Sequence, residues 1–400
     1  MNILVLCTYP VKNPTHGGQL RVRNIIDAYT DNKYDVQVAG VLGSETYEPE
    51  DGFVPYPGNN QLLSIIKNPF LMEDYAIGKL FSNDEKYFKS LVREIKTTPD
   101  IIHVEQPWLI GFAVIFSQKY APLARIIYGS QNIEWMLKKE ILSNNFNSSD
   151  VEASVKLIHE AEEFAIMKSH AITCVSENDF QWIRSRTEKP ILIARNGVKD
   201  WSVTKQGEKE AAVISRNYRY ALYCASGHPP NVEGFFQIFG GGFGSLKPDE
   251  KIIIAGGAGW SIAGDKRVHK SAKLAEKIII AGIVNSQCLA GLIDKAHCLV
   301  LPLTQGGGTN LKTAEALWSR KHIVATPTAM RGFEPYIDAA GVNVAEDSIT
   351  FKRKLRNVMG TPSLELTEDE VIKRQDVLWG SCLANLPTVI SAIVNNREFS

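Results

Sequence analysis

The 400-residue sequence has no charge excess of either sign: Lys plus Arg and Asp plus Glu stand at 44 each. A nucleic-acid protein needs a basic face for its phosphates, so no nucleic acid is expected as a partner. Missing too is any uninterrupted apolar run near the roughly 18 residues that a membrane helix requires. The opening MNILVLCTYPV is short and lacks a basic lead, so it reads as a buried strand and not as a signal peptide. The six cysteines (Cys7, Cys174, Cys224, Cys288, Cys298, Cys382) include no C-x-x-C pair, and several lie inside apolar runs. Buried free thiols in a reducing cytoplasm are the expectation.

What is present is ordinary for a globular chain, with 44% apolar and 22% charged residues. Four hundred residues exceed what one core organises, so two domains are expected. Ile3 to Cys7 reads as a strand buried on both faces. A loop through Pro10, Pro14 and Gly17-Gly18 follows, then a helix from Gln19 to Tyr29 and a strand from Val36 to Val41. This opens a doubly wound sheet. Further strands are expected at Ile101–Val104, Ala124–Tyr128, Ala171–Val175 and Ile191–Ala194. Val151, Val155, Ile158, Ala161 and Ala165 mark the apolar face of a long helix.

A second cycle starts at Tyr220–Cys224 and continues through Ile252–Ala255, Lys277–Ala281, Cys298–Leu301 and His322–Ala325. The reading is an α/β chain of two facing Rossmann-like domains, residues 1–197 and 212–379, with a cleft between them. A polar segment from Lys199 to Ala212 separates them. A tail of about 380–400, helical at Val389, Ile390 and Ile393, is expected to pack back on the first domain. Ligands of such sheets bind at the carboxyl ends of the strands.

One of those strand ends runs Leu301-Pro-Leu-Thr-Gln-Gly-Gly-Gly-Thr-Asn-Leu-Lys-Thr-Ala-Glu-Ala-Leu317. Gly306, Gly307 and Gly308 let a ligand approach the backbone, and a helix starting near Thr309 or Asn310 offers free N–H groups to an anion. Lys312 and Glu315 share a face in its first turns. A cation near a diphosphate and a carboxylate near ribose hydroxyls would suit a nucleotide-sugar. A glycine-rich turn with a surface Lys and Glu is the plainer alternative.

This segment resembles the G-x-G-T-x-x-K-x-x-E-A signature of family 4-like glycosyltransferases of the GT-B fold. Gly17-Gly18 with Arg21, Pro99-Asp-Ile-Ile-His-Val-Glu105, Cys174-Val-Ser-Glu177 and Arg195-Asn-Gly-Val198 resemble further family segments, in matching order. The resemblance implies transfer of a sugar from a nucleoside-diphosphate donor to a glycan or lipid-linked acceptor, in polysaccharide or glycoconjugate assembly. It also implies retention at the anomeric carbon, and no cofactor or metal. The sequence contains no Asp-x-Asp to hold a diphosphate-bound metal. Charge on the departing diphosphate would fall to Lys312 and backbone N–H groups.

The sequence departs from the family at two places. The family's Glu-x7-Glu pair is incomplete, because Gly307 stands where the first Glu would be. The loop Ser226-Gly-His-Pro-Pro-Asn231 lacks the usual Arg and Lys, so His228 or strand-end amides would substitute. In the first half, Ser130-Gln-Asn-Ile-Glu134 puts Gln131 where relatives have a histidine near the reacting sugar. Asn132 and Glu134 are the polar candidates there, with a helix N-cap the equal alternative for Asn132. His103, with Glu105 two residues on, is a further catalytic candidate, and the acceptor is expected on this rim. His16 touches either an acceptor or a turn carbonyl. Arg331-Gly332-Phe333 is either a phosphate-facing loop or a turn with a solvated Arg.

Tyr75, Trp108 and Phe112 with Leu62 to Leu71 are core packing or else an acceptor- or membrane-facing wall. A cytoplasmic protein is expected, with peripheral contact at the inner face of a membrane left open. Two other functions compete: a sugar-nucleotide epimerase, and a non-catalytic transferase-like subunit.

Overall fold

The computed structural model describes residues 1–66, 72–143, 148–244, 246–305 and 309–395. The chain forms two compact units, Met1–Arg195 together with the segment from Cys382, and Asn196–Ser381. Among the described residues, no helix is long and apolar enough to cross a membrane.

In the first unit, seven parallel strands stand in the order β3-β2-β1-β4-β5-β6-β7. They are β1 (Asn2–Cys7), β2 (Asp35–Val41), β3 (Phe53–Val54), β4 (Ile101–Glu105), β5 (Arg125–Gly129), β6 (Ala171–Cys174) and β7 (Ile191–Ile193). Strand order reverses between β1 and β4, and that switch point is where a doubly wound sheet opens a crevice. Leu4, Leu6, Ile102, Val104, Ile126 and Tyr128 pack with Phe81, Phe88 and Phe112 into one core. Tyr75 (7% exposed), Trp108 (5%) and Leu62 (0%) are likewise interior, so core packing takes these residues from any wall. Residues 67–71 of that proposed wall lie outside the described residues.

The second unit repeats the plan with six parallel strands, ordered β10-β9-β8-β11-β12-β13. They are β8 (Arg219–Cys224), β9 (Glu250–Ala255), β10 (Ile278–Gly282), β11 (Cys298–Leu301), β12 (His322–Ala325) and β13 (Val342–Val344). Tyr220, Leu222, Ile253, Leu299 and Ile323 feed the core on one face. Ala221, Tyr223, Ile252, Ile254, Val300 and Val324 feed the core on the other. Apolar side chains on both faces explain the unbroken apolar runs. Here the switch point lies between β8 and β11.

The polar segment expected between the domains holds a helix, Lys205–Ser215, within the second unit. Its buried residues are Gly207, Ala211 and Ser215, and it crosses the helix Ser286–Lys295. A Cβ at Gly207 would collide with the Gln287 carbonyl, and one at Gly291 with the Gly207 carbonyl. Close backbone approach, not a large apolar stripe, joins this pair. In the first unit, the helix Leu386–Val394 lies against the Tyr34 hydroxyl, which bonds Ser391 Oγ at 2.7 Å.

Candidate functional site

The first unit's switch point is built around a buried ion pair. Arg21 projects from the helix Gly17–Asp31 and Glu105 ends β4; both are 1% exposed. Arg21 Nε stands 3.4 Å from Glu105 Oε2, and its NH1 donates to the Ala194 carbonyl at 2.7 Å. Burial alone would raise the Glu105 pKa, but Arg21 and the hydrogen bonds from His103 and Gln131 bring it below its ordinary value. Removing one partner would leave a buried charge uncompensated, a loss of about 3–5 kcal/mol. Gly129 makes room for this arrangement: a Cβ there would overlap the Glu105 carboxylate.

His103 is fully buried, with Nε2 2.9 Å from Glu105 Oε1 and Nδ1 2.5 Å from the Tyr29 hydroxyl. Both ring nitrogens are engaged beneath the rim, so the side chain orients Glu105 and is not presented to a ligand. Gln131 donates through Nε2 to Glu105 Oε2 and to the Tyr9 hydroxyl, 2.6 Å each. His16 caps the helix that Gly17-Gly18 begins, its Nδ1 accepting from Gln19 N at 3.4 Å. Its Nε2 lies 3.1 Å from the Tyr47 hydroxyl, and burial lowers its pKa.

Asn132 and Glu134 meet at the start of the helix Glu134–Ser143. Asn132 Nδ2 donates to Glu134 Oε1 at 3.2 Å, and Gln106 Nε2 donates to the same oxygen at 3.3 Å. Glu134 is 2% exposed, and burial raises its pKa despite Lys138. The N-cap alternative for Asn132 fails, because a remote carboxylate takes that place. Glu162, from the helix Ser148–Lys168, accepts from the amides of Glu134 and Trp135. Its sequence signal was a carboxylate on the stripe otherwise made by Ile158, Ala161 and Ala165.

In the second unit, β11 leads toward the glycine-rich segment. Gly306, Gly307 and Gly308 lie outside the described residues; the path resumes at Thr309, which is 8% exposed. Asn310 is the N-cap of the helix Leu311–Trp318, its Oδ1 accepting from Lys312 N at 3.0 Å. Lys312 Nζ and Glu315 Oε2 form an ion pair at 2.9 Å. Burial works against the Lys312 ammonium, yet Glu315 outweighs it and holds the pKa above its ordinary value. The Lys312 side chain keeps 36% of its surface, so the cation still reaches solvent.

His228 stands exposed after β8, immediately before the helix Pro229–Phe239. A Cβ on Gly234 of that helix would collide with the Pro302 carbonyl, so the helix lies directly on the exit from β11. His228, Asn310 and Lys312 thus follow the two strands that flank the switch point. At Arg331-Gly332-Phe333, Phe333 is buried at 2%, and Gly332, at φ 80°, donates its N–H to Glu334. That loop is a turn anchored by an aromatic side chain. Among the described residues, no three His, Cys, Asp or Glu side chains gather as a metal cage would need.

Two parallel doubly wound units of seven and six strands make up the GT-B architecture. The chain is similar to sucrose-phosphate synthase from Thermosynechococcus elongatus, with TM-score 0.71 and 11% identity over 99% of each chain. It is similar to HepE from Anabaena in complex with UDP and glucose, with TM-score 0.61 and 11% identity over 98% of this chain and 100% of that one. The lipopolysaccharide outer core galactosyltransferase WaaB matches with TM-score 0.59 and 14% identity, over 98% and 99% of the two chains. At these identities the likeness is one of fold. No known family profile and no curated protein matches the sequence.

Proposed function

We propose that the chain is a glycosyltransferase that moves a sugar from a nucleoside-diphosphate donor to a glycan or lipid-linked acceptor. The observation that carries this reading is the Asn310-capped helix with its Lys312–Glu315 pair, beside a switch point in a GT-B chain. Solved structures of the same fold include one with UDP and glucose and one with UDP-2-fluoro glucose. The diphosphate lies against the turn 306–312, where helix-start amides and Lys312 meet its charge. Glu315 serves the ribose hydroxyls, and His228 lends a further contact to the donor.

Acceptor binding falls to the rim that carries Gln106, Asn132 and Glu134, with His103 acting through Glu105. Transfer is metal-independent and retains the anomeric configuration. The polar rim of the first unit suits a hydroxyl-bearing acceptor, and peripheral membrane contact would accompany a lipid-linked one.

The test is a thermal-shift screen of nucleoside diphosphates, followed by nucleotide release from the matching sugar donors. A true ligand at about one hundred times its Kd stabilises by ~2.7 kcal/mol. Absence of any stabilising nucleoside diphosphate would sink the reading. Gly307 in place of a carboxylate favours the second reading, a non-catalytic subunit. Nucleotide release by the isolated chain excludes it.

A further inference from the structure

The helix Ser148–Lys168 carries its apolar stripe further than the core uses it. Ile158 and Ala165 are fully buried, whereas Val155, nearer the start of the helix, is only half-buried. Val155 and Val151 instead line a cavity of about 480 Å³, together with Trp135 and Lys139 of the helix Glu134–Ser143. Small-molecule sites span roughly 300–1,000 Å³, so this volume is a ligand's and not a packing defect. The charged groups of the lining are mostly cationic. Lys139, Lys156 and Arg186 contribute to it, and Glu152 is the one carboxylate.

Arg186 is fixed by the protein itself. Its Nε donates to Glu163 Oε1 at 2.7 Å, and its NH1 donates to the Trp182 carbonyl at 2.9 Å and to Ser185 Oγ at 2.8 Å. The guanidinium carbon stands 3.8 Å from the centre of the Trp182 ring, on the helix Glu177–Arg184. The NH2 group donates to no described residue, which leaves part of a rigid fork for an anion. His159, also in the lining, is wedged between Trp135 and Trp182, with ring centres 5.2 and 6.3 Å away. Its Nε2 lies 3.3 Å from Glu163, so one carboxylate orients two lining groups. Lys139 has no carboxylate partner among the described residues. Lys156 meets Glu160 only at 4.0 Å, an exposed pair that holds it weakly.

We propose that this cavity binds a single-chain lipid phosphate. The hydrocarbon lies on Trp135, Val151 and Val155, and the phosphate engages Arg186 with Lys139 and Lys156. A carboxylate head brings one charge, which Glu152 opposes; a phosphate monoester brings about 1.5 to 2, enough to hold several cations against it. The apolar wall demands a chain, because inorganic phosphate leaves that surface uncovered. This site goes beyond sugar transfer and does not depend on that reading.

Calorimetric titration of the full chain with hexyl, octyl and decyl phosphate, each below its micellar concentration, tests the proposal. One molecule per chain is expected, with affinity rising roughly fourfold per added methylene until the cavity is full. Inorganic phosphate is expected to bind far more weakly than any of the three. Val155→Phe, which fills the cavity with a side chain, should abolish binding, with circular dichroism checking the fold. Lys139→Glu combined with Lys156→Glu changes two exposed side chains and should weaken octyl phosphate by about tenfold or more. This pair decides the matter should Val155→Phe not fold. Octyltrimethylammonium binding as tightly as octyl phosphate would reduce the cavity to an apolar hole and overturn the proposal. Absence of binding overturns it too, as does an affinity that neither the filled cavity nor the reversed lysines alter. Failure of nucleotide release would sink the glycosyltransferase reading and leave the titrations to decide this one.

Discussion

Glu162 and Glu134 meet end to end: the Glu162 carboxylate accepts the Glu134 amide at 2.8 Å and, with its second oxygen, the Trp135 amide at 2.9 Å. A fully buried side chain in the middle of one helix thereby closes the first turn of another. Burial raises the Glu162 pKa to about 8, partly offset by the two amides and reinforced by the neighbouring Glu134.

This carboxylate makes stability depend on pH. Between the ordinary carboxylate range and about pH 8, the native chain holds a proton that the unfolded chain has released. Stability therefore falls as pH rises through that window. Urea midpoints measured at about pH 5 and about pH 8 should differ in favour of the lower pH, and Glu162→Gln should remove much of that difference. A midpoint difference unaltered by Glu162→Gln would assign the effect to other groups.

Lys312→Ala should weaken binding of the nucleoside diphosphate found in the thermal screen by ~1.5–3 kcal/mol, the value of a hydrogen bond to a charged group. Glu315→Ala should weaken the same nucleoside diphosphate through its ribose hydroxyls, the partners proposed for that carboxylate. Calorimetric titration measures both. Unchanged affinity in the two variants would remove the nucleotide from this turn.

Nucleotide release from the sugar donor should persist in excess chelator. Loss of turnover that only magnesium or manganese restores would contradict the metal-independent reading.

Gly207→Ala and Gly291→Ala should each destabilise the second unit by about 1–3 kcal/mol, because a methyl group at either place meets backbone and not a movable side chain. Thermal unfolding reads the loss. A melting temperature unchanged in both would mean that the helix crossing relaxes freely.

These glycines also mark where sequence reading falls short. Strands such as β1, β8 and β11 are legible because both faces are buried and the apolar run is unbroken. The edge strands β3 and β13, of two and three residues, carry too little pattern to stand out. Lys205–Ser215 looks like a polar linker because its buried face is made of Gly207, Ala211 and Ser215. Small residues bury little area, so close backbone contact leaves no hydrophobic period.

Within the site, the Lys312–Glu315 pair is legible from helical spacing alone. The Arg21–Glu105 pair is not, since only the parallel pairing of β1 with β4 brings those distant segments together. That pairing also explains why His103 resembles a ligand group in sequence yet lies buried under the rim.

The path of the chain carries one more consequence. Residues Asn196–Ser381 form a single continuous stretch inserted into a unit that owns both flanking segments. Near its two ends, Val198 pairs with Leu378 in a parallel bridge, Val198 N donating to Val377 O and Trp379 N to Val198 O. The inserted stretch is therefore a cassette whose entrance and exit are already clasped, which suits it to excision as an independent gene fragment. The remainder becomes one chain only when a short linker joins Arg195 to Cys382. Grafting a foreign cassette at that junction would ask for ends spaced as the Val198–Leu378 clasp spaces them.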